Sequence, residues 1–153
     1  MEKIKVEIYT DGACLGNPGP GGFGVVFRLN GQKLTGSGGA AKTTNNAMEL
    51  MGAIYALENL PDREDLDITL YSDSTYVVNG YRLGWIDNWK RNGWRTSAGK
   101  PVKNMELWKR LDVLQARFNA KFVWVEGHAG NADNEECDRL AKSAAESFRG
   151  RIA

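Results

Sequence analysis

Alternation of apolar and polar residues marks the first third of the chain as β-structure. The stretch "KIKVEIYTDG" places Ile4, Val6 and Ile8 on one side of a strand, with polar residues between them. The stretch "GFGVVFRLNGQKLTGSGGA" then predicts two strands that reverse direction at Asn30-Gly31, a pair typical of tight hairpins. We therefore expect the first three strands to pair antiparallel.

Helical and strand-like patterns alternate through the rest of the chain. Apolar residues three and four apart indicate helices in "NAMELMGAIYALENLP", "VKNMELWKRLDVLQARF" and "NEECDRLAKSAAESF", and "STYVVNGYRLGWIDNW" is typical of one or two short helices. The stretches "DLDITLYSD" and "AKFVWVEGH" predict strands, which run parallel when helices join them. The pattern predicts an α/β fold: a five-stranded mixed sheet, three antiparallel strands and then parallel ones, flanked by helices.

The composition is that of one globular domain spanning residues 1–153. Hydrophobic residues make up 42% of the chain and charged residues 25%. The first apolar runs are interrupted by Lys3, Lys5 and Glu7, unlike a signal peptide, and no stretch approaches the roughly 20 apolar residues of a membrane span. Cys14 and Cys137 lack the spacing of metal ligands. We expect a cytoplasmic monomer with reduced cysteines and no membrane partner.

Charge is distributed unevenly along the chain, although the net charge is only +1. The segment from Arg82 to Arg110 holds eight basic and two acidic residues, which leaves the remainder at −5. It also holds four of the five tryptophans, at positions 85, 89, 94 and 108. These rings could form a small satellite core, or with the cations they could contact a nucleic-acid backbone without reading its sequence. We expect a basic protrusion at about residues 82–103.

A glycine pattern suggests a different ligand. Residues 19–24, "GPGGFG", match the dinucleotide-binding fingerprint G-x-G-x-x-G. That fingerprint requires a helix directly after the glycines, whereas Val25 to Phe27 continue as a strand. We therefore predict no dinucleotide cofactor, and interpret the glycines as the connection between two antiparallel strands.

Four carboxylates are candidates for chemistry, although each has a local alternative. Asp11 could be a turn residue before glycine, Asp73 a helix N-cap, and Asp138 a solvated charge at the edge of a helix face. Glu49 could be the capping-box partner of Asn46.

Together, two acids at strand ends and two on helices can converge at one edge of a sheet. Clustered like charges need cations, and oxygen ligands suit Mg²⁺ or Mn²⁺ better than zinc. Two such ions would support in-line phosphodiester hydrolysis.

The only histidine, His128, lies in a glycine-flanked loop before the last helix. It is either structural or a proton shuttle beside the metals, and we favour the shuttle.

Long blocks of the chain resemble bacterial type 1 ribonuclease H. They are "YTDGACLGNPGPGGFG", "TTNNAMELMGAIYALE", "YSDS", "WIDNWKRNGW", "KPVKNMELWKRLD" and "WVEGHAGNADNEECDRLA". The resemblance implies the ribonuclease H-like fold and metal-dependent, endonucleolytic hydrolysis of the RNA strand of RNA–DNA hybrids, leaving 5′-phosphate and 3′-hydroxyl ends. It implies two Mg²⁺ ions, with Mn²⁺ as a possible substitute. One ion lies among Asp11, Glu49 and Asp73, the other between Asp11 and Asp138, and His128 assists proton transfer or product release.

The resemblance also implies contacts with the hybrid. Minor-groove contacts fall on the loop from Cys14 to Asn17 and on Asn45 and Asn46, where they suit detection of RNA 2′-hydroxyls. The glycines after this loop would let the backbone approach the duplex. A pocket for a DNA-strand phosphate falls on Thr44 and Asn88. The remaining contacts with the hybrid fall on the basic protrusion, at Trp85, Trp89, Lys90, Arg91 and Lys100.

Four positions depart from the bacterial pattern. Thr75 stands where glutamine is common, which could weaken a contact with a base edge, and Glu126 replaces a frequent lysine. Asp87 and Asn131 replace residues that are often histidine. We expect these departures to change affinity and pH optimum but not the activity. The alternatives are a hybrid-binding module without catalysis and, from the glycine pattern alone, a dinucleotide-dependent oxidoreductase.

Overall fold

The computed structural model describes residues 2–127 and 130–149. Three strands come first, followed by helices and two further strands. In chain order the elements are β1 (Ile4–Cys14), β2 (Gly19–Leu29), β3 (Gln32–Thr43), α1 (Asn45–Glu58), β4 (Leu66–Ser72), α2 (Thr75–Arg82), α3 (Trp85–Arg91), α4 (Met105–Phe118), β5 (Lys121–Trp124) and α5 (Ala132–Phe148).

The five strands form one mixed sheet in the order β3-β2-β1-β4-β5. β1 pairs antiparallel with β2, and β2 with β3, whereas β4 runs parallel to both β1 and β5. The β2–β3 hairpin turns at Asn30 and Gly31, whose φ angles of 50° and 76° lie in the left-handed region that these residues tolerate. This topology confirms the α/β prediction of three antiparallel strands followed by parallel ones.

Helices cover both faces of the sheet. α1 packs against β1 and β2, with Leu50, Ile54 and Leu57 fully buried, and α4 packs on α1. α5 packs against β1, β2 and β3. The alternation predicted for β1 holds, because Val6 and Ile8 face the core with at most 1% exposure.

Several element boundaries differ from the sequence pattern for identifiable reasons. β1 continues past Asp11 to Cys14, so Asp11 is a strand residue and not a turn residue. α4 begins only at Met105, because Asn104 has a φ of 59°. α5 begins earlier than its apolar pattern, at Ala132, because the Asn131 side chain accepts a hydrogen bond from the backbone N–H of Asn134 (2.9 Å) and caps the helix.

The glycine stretch is not a connection, as the sequence suggested, but part of β2. A Cβ atom on Gly22 would lie 2.4 Å from the carbonyl oxygen of Ala141, and one on Gly24 would lie 2.3 Å from that of Cys137. These glycines therefore let α5 pack directly on the strand backbone. Their predicted role of admitting a duplex is wrong for these two positions. The strand that follows them also rules out the helix that a dinucleotide fingerprint requires.

The tryptophan-rich segment packs against the main hydrophobic core. Trp108 of α4 is fully buried, and the ring of Trp89 lies 5.4 Å from it, between Trp108 and Trp94. Trp85 lies beside Trp89, with ring centroids 6.1 Å apart and the two planes tilted by 44°. These rings therefore pack, as one of the two interpretations expected, but Trp108 belongs to the main core and Trp89 and Trp94 pack against it, so they do not form a separate satellite core. Among the described residues, no helix combines the length and apolar character needed to cross a membrane.

Candidate carboxylate site and nucleic-acid interface

Asp11 lies at the centre of the site, on the middle strand of the sheet. Its side chain is 6% exposed, and one of its oxygens accepts a 2.8 Å hydrogen bond from the backbone N–H of Gly12. A Cβ atom on Gly12 would lie 2.7 Å from the backbone nitrogen of Glu49. The absence of a side chain at position 12 therefore lets α1 approach β1 closely enough to bring Glu49 to Asp11.

Glu49 reaches the site from the first turns of α1. The helix is capped by Thr44, whose hydroxyl accepts a hydrogen bond from the N–H of Ala47 (3.2 Å). The capping box of Asn46 with Glu49 is therefore not formed, and the Glu49 carboxylate points into the protein with 5% exposure. Its Oε1 atom is buried and has no hydrogen-bond partner among the described residues.

Asp73 completes a compact trio. It directly follows β4, and because β4 runs parallel to β1 the carboxyl ends of both strands meet at one edge of the sheet. Ser74, not Asp73, caps α2 by accepting a hydrogen bond from Val77. Carboxylate oxygens of Asp11, Glu49 and Asp73 lie within 4.8 Å of one another. The convergence predicted from the sequence is thus present for three of the four acids.

Mutual repulsion and burial make this trio costly when it is fully ionised. Burial, followed by the charge of Asp73, raises the pKa of Asp11 to about 7. Burial, followed by the charge of Asp11, raises the pKa of Glu49 well above its usual value. A divalent cation would relieve both effects, since it supplies the missing partner for Glu49 Oε1 and offsets the clustered charge. The donors are all carboxylate oxygens, so the site fits Mg²⁺ or Mn²⁺.

Asp138 lies beside the trio rather than within it. It is carried by α5, its side chain is 21% exposed, and it forms an ion pair with Lys142 one helical turn later (3.0 Å). Its charge is one of the causes that raise the pKa of Asp11, after burial and the charge of Asp73. Asp138 is therefore more than a solvated boundary charge, although it stands outside the group whose oxygens lie within 4.8 Å.

The histidine predicted to assist catalysis, His128, lies outside the described residues. The chain that leads to it is anchored beside Asp73. The N–H of Val125 donates to the carbonyl of Ser72 (3.0 Å), and the Trp124 indole donates to that of Asp73 (3.2 Å). A Cβ atom on Gly127 would lie 2.7 Å from Asp73 Oδ2, so the chain passes directly over this carboxylate.

A polar cleft at the start of α1 contains several of the predicted hybrid contacts. Asn17 accepts a hydrogen bond from the N–H of Asn45 (2.8 Å), and the thiol of Cys14 donates to the carbonyl of Thr43 (3.3 Å). These bonds join the β1–β2 connection to the start of α1. The cleft has a volume of about 520 Å³. Its lining residues are Asn17, Thr44, Asn45, Asn46, Lys103 and Asn104.

Lys103 was predicted only as a cation of the basic protrusion, and Asn104 was not among the predicted contacts. They precede α4, nearly sixty residues after Thr44, and only the packing of α4 on α1 brings them to the cleft. In the sequence, only the basic run "KPVKN" could have indicated that these two residues contact the hybrid. Asn88, which the resemblance grouped with Thr44, is not one of the lining residues; it lies exposed on α3 and accepts a hydrogen bond from Arg91.

The cations of the protrusion differ in their surroundings. Lys90 forms a 2.6 Å ion pair with Asp112 of α4, so its charge is already balanced. Arg91 and Lys100 are exposed, and no ion pair involving either is formed within the described residues. Thr75 is exposed in the first turn of α2, two residues after Asp73.

Comparison with known sequences gives one consistent family. The model of the family described as RNase H matches residues 3–146. The chain is similar to the Ribonuclease H of Salmonella arizonae, with 55% identity over 141 residues, covering 92% of this chain and 89% of the relative. The Ribonuclease H of Salmonella paratyphi B matches with the same identity and coverage.

Solved structures give the same result. The fold is similar to that of LC9-RNase H1, a type 1 RNase H with the type 2 active-site motif, at a TM-score of 0.82 and 30% identity, covering 97% of this chain and 75% of that one. It is also similar to LC11-RNase H1, solved in complex with an RNA/DNA hybrid, at a TM-score of 0.70 and 27% identity. That match covers 93% of this chain and 97% of the other.

Proposed function

The chain belongs to the RNase H family, and from this premise we propose that Asp11, Glu49, Asp73 and Asp138 bind two Mg²⁺ ions for cleavage of RNA in RNA–DNA hybrids. The activity is that of a metal-dependent endonuclease that hydrolyses the RNA strand. The observation that carries the proposed metal site is the buried, partnerless Oε1 of Glu49 within a trio of carboxylates spanning 4.8 Å. Such a trio is stable in its charged form only with a cation.

Each carboxylate has a distinct place in the proposed site. Divalent cations bound there would activate a water molecule and stabilise the leaving oxygen, and Mn²⁺ could substitute for Mg²⁺. Asp11 faces both the trio and Asp138, so it is the residue able to contribute to two ions. Glu49 and Asp73 complete the first position, and Asp138 completes the second. His128 is proposed to move a proton or to aid product release.

Recognition of the hybrid is proposed for the cleft and the protrusion. The side chains at the cleft mouth, Asn17, Asn45 and Asn46, carry both donors and acceptors that suit the 2′-hydroxyls of the RNA strand. Cys14 keeps its thiol bonded to backbone and therefore shapes the loop beside them. Thr44 and Lys103 line the same cleft and are suited to a phosphate of the DNA strand.

The protrusion is proposed to hold the duplex by charge. Arg91 and Lys100 present exposed cations, whereas the tryptophans largely form the packed support beneath them. Contacts of this kind do not read sequence, so cleavage should be largely independent of base composition.

A strand-specific cleavage assay tests the proposed function. A hybrid with different labels on its RNA and DNA strands is incubated with Mg²⁺, beside matched duplexes of DNA alone and RNA alone and a sample with EDTA. We expect internal cuts in the RNA strand of the hybrid only, dependent on the cation, with 5′-phosphate and 3′-hydroxyl ends. Binding of the hybrid without cleavage would instead support the alternative of a non-catalytic hybrid-binding module.

A further inference from the structure

We propose that Gly24 is a positioning residue for Asp138: it sets how closely α5 lies on the sheet and thereby holds Asp138 at the distance from Asp11 that a shared cation needs. This inference rests on the proposed function, because it assigns a role toward the metal site proposed above. It concerns residues of the glycine stretch that the sequence had attributed to a loop.

The register of the sheet links Gly24 to the catalytic strand. Gly24 is the β2 partner of Asp11 on β1, so the two residues lie side by side. A Cβ atom on Gly24 would lie 2.3 Å from the carbonyl oxygen of Cys137, 2.6 Å from Cβ of Leu140 and 3.0 Å from the nitrogen of Ala141. Two of these three atoms belong to the backbone of α5, so a rotation of side chains cannot relieve the contact.

Cys137, the residue before Asp138, connects the helix to both strands. Its carbonyl lies over Gly24, and its fully buried thiol donates a 3.1 Å hydrogen bond to the carbonyl of Tyr9 on β1. Tyr9 lies two residues before Asp11. The turn of α5 that carries Asp138 is thus fixed to the strand that carries Asp11.

The lateral position of α5 is held by other contacts. Arg28 forms a bidentate pair with Asp133, at 3.0 and 2.8 Å, and Lys33 pairs with Glu136. Both pairs tie the first turns of α5 to the β2–β3 hairpin. With these contacts made, the missing side chains at positions 22 and 24 allow the helix to lie at its observed height above the sheet, and position 24 is the one beneath Cys137.

The size of the expected displacement follows from the contact distances. Ordinary contact begins at 3.4 Å, so a methyl group at position 24 requires the helix to rise by about 1 Å over Cys137. A shift of that size in a group that positions a reacting centre can lower the rate about 100-fold. Here it would fall on the carboxylate that completes the second ion position.

The test compares Gly24→Ala with a control substitution on the opposite face of the sheet. Gly36 of β3 faces α1, and a Cβ atom there would lie 2.5 Å from the Tyr55 ring, so Gly36→Ala crowds a side chain of α1 and does not touch the backbone of α5. Mg²⁺ binding is measured by calorimetry on each protein bound to a hybrid whose RNA strand is replaced by its 2′-fluoro analogue. We expect Gly24→Ala to weaken Mg²⁺ binding about 10–100-fold, which is the typical effect of losing a residue that orients a metal ligand. Gly36→Ala should leave Mg²⁺ binding unchanged.

A double-mutant cycle separates positioning from general destabilisation. If Gly24 acts through Asp138, then Gly24→Ala in an Asp138→Asn background should change Mg²⁺ affinity by less than about twofold. Should Gly24→Ala fold poorly, Cys137→Ala and Cys137→Ser replace it. The alanine variant loses the bond to Tyr9 and should weaken Mg²⁺ binding, and the serine variant, which keeps a donor, should restore it.

Three results would overturn the inference. They are full Mg²⁺ affinity in Gly24→Ala, an equal loss in Gly36→Ala, and equal affinity of Asp138→Asn and the unmutated protein. Cleavage of the hybrid by the unmutated protein is measured in the same series, so that failure of this inference can be told apart from failure of the proposed function. If the unmutated protein cleaves and Gly24→Ala binds Mg²⁺ normally, only this inference fails; if the unmutated protein does not cleave, the proposed function itself fails.

Discussion

At the scale of single residues, the carboxyl group of Asp11 is held where its charged form is disfavoured. Its pKa is raised from 3.8 to about 7, by burial first and by Asp73 next. Between about pH 4 and pH 7, the folded protein therefore keeps a proton on Asp11 that the unfolded chain has already released. In the absence of metal, this group lowers the free energy of unfolding as pH rises through that window, and the penalty is complete above it.

Asp11→Asn should therefore stabilise the metal-free protein at high pH. We expect its free energy of unfolding, measured with urea in EDTA, to exceed that of the unmutated protein at pH 8 by at least about 1 kcal/mol. The difference should shrink toward pH 4, where the Asp11 carboxyl is protonated in the folded protein and about half protonated in the unfolded chain. Added Mg²⁺ at pH 8 should stabilise the unmutated protein more than the variant. A difference that is constant over this pH range would contradict the proposed electrostatics.

The role predicted for His128 remains a prediction, since that residue lies outside the described part of the chain. His128→Ala should slow turnover by about 10²-fold or more, as loss of a proton-transfer group does, while hybrid affinity stays nearly unchanged. Steady-state cleavage and equilibrium binding of the same hybrid measure the two quantities separately. A large loss of affinity would count against a role in proton transfer.

At the scale of elements, the start of α5 depends on one side chain. Asn131 caps this helix through its bond to the N–H of Asn134, although the sequence comparison treated it only as a departure from histidine. Asn131→Ala should lower the free energy of unfolding by about 1 kcal/mol, and Asn131→Asp should restore most of the loss. Urea denaturation checks both variants, and equal stability of all three proteins would show that the cap contributes nothing.

The elements also show what the sequence could and could not predict. Strands β1 and β4 were predictable from their alternation, and because parallel strands end at one edge, the meeting of Asp11 with Asp73 was predictable too. The contact of α5 with Gly22 and Gly24 was not predictable, because the predicted strand stretch begins at Gly22 but only the packing of the fold shows which helix lies on it. Lys103 was predicted as a cation of the protrusion, whereas its place in the cleft of Thr44 depends on tertiary packing alone.

At the scale of the whole molecule, positive charge is concentrated in one segment, and the rest of the chain is acidic. The segment from Arg82 to Arg110 carries +6 and the remainder −5, so attraction of a duplex is concentrated at the protrusion. The structure refines this picture, because Lys90 is neutralised by Asp112.

Lys100 and Lys90 should therefore differ in their effect on binding. We expect Lys100→Ala to weaken hybrid binding and to reduce the slope of log affinity against log salt by about one. Lys90→Ala should change that slope less, because its charge is already paired with Asp112. Binding isotherms of the hybrid at several salt concentrations measure both slopes. A larger change for Lys90→Ala than for Lys100→Ala would contradict this assignment.

If the carboxylate site around Asp11 cleaves the RNA strand with bound metal, replacing Asp11 by asparagine should affect cleavage and binding of the hybrid differently. Cleavage of a labelled RNA–DNA hybrid with saturating Mg²⁺ and binding of the same hybrid are measured for the variant and the unmutated protein. We predict that the variant binds the hybrid with similar affinity while its cleavage rate falls by at least about 10²–10³-fold, the loss typical of removing one electrostatic contact in an active site. Undiminished cleavage by Asp11→Asn would contradict the account.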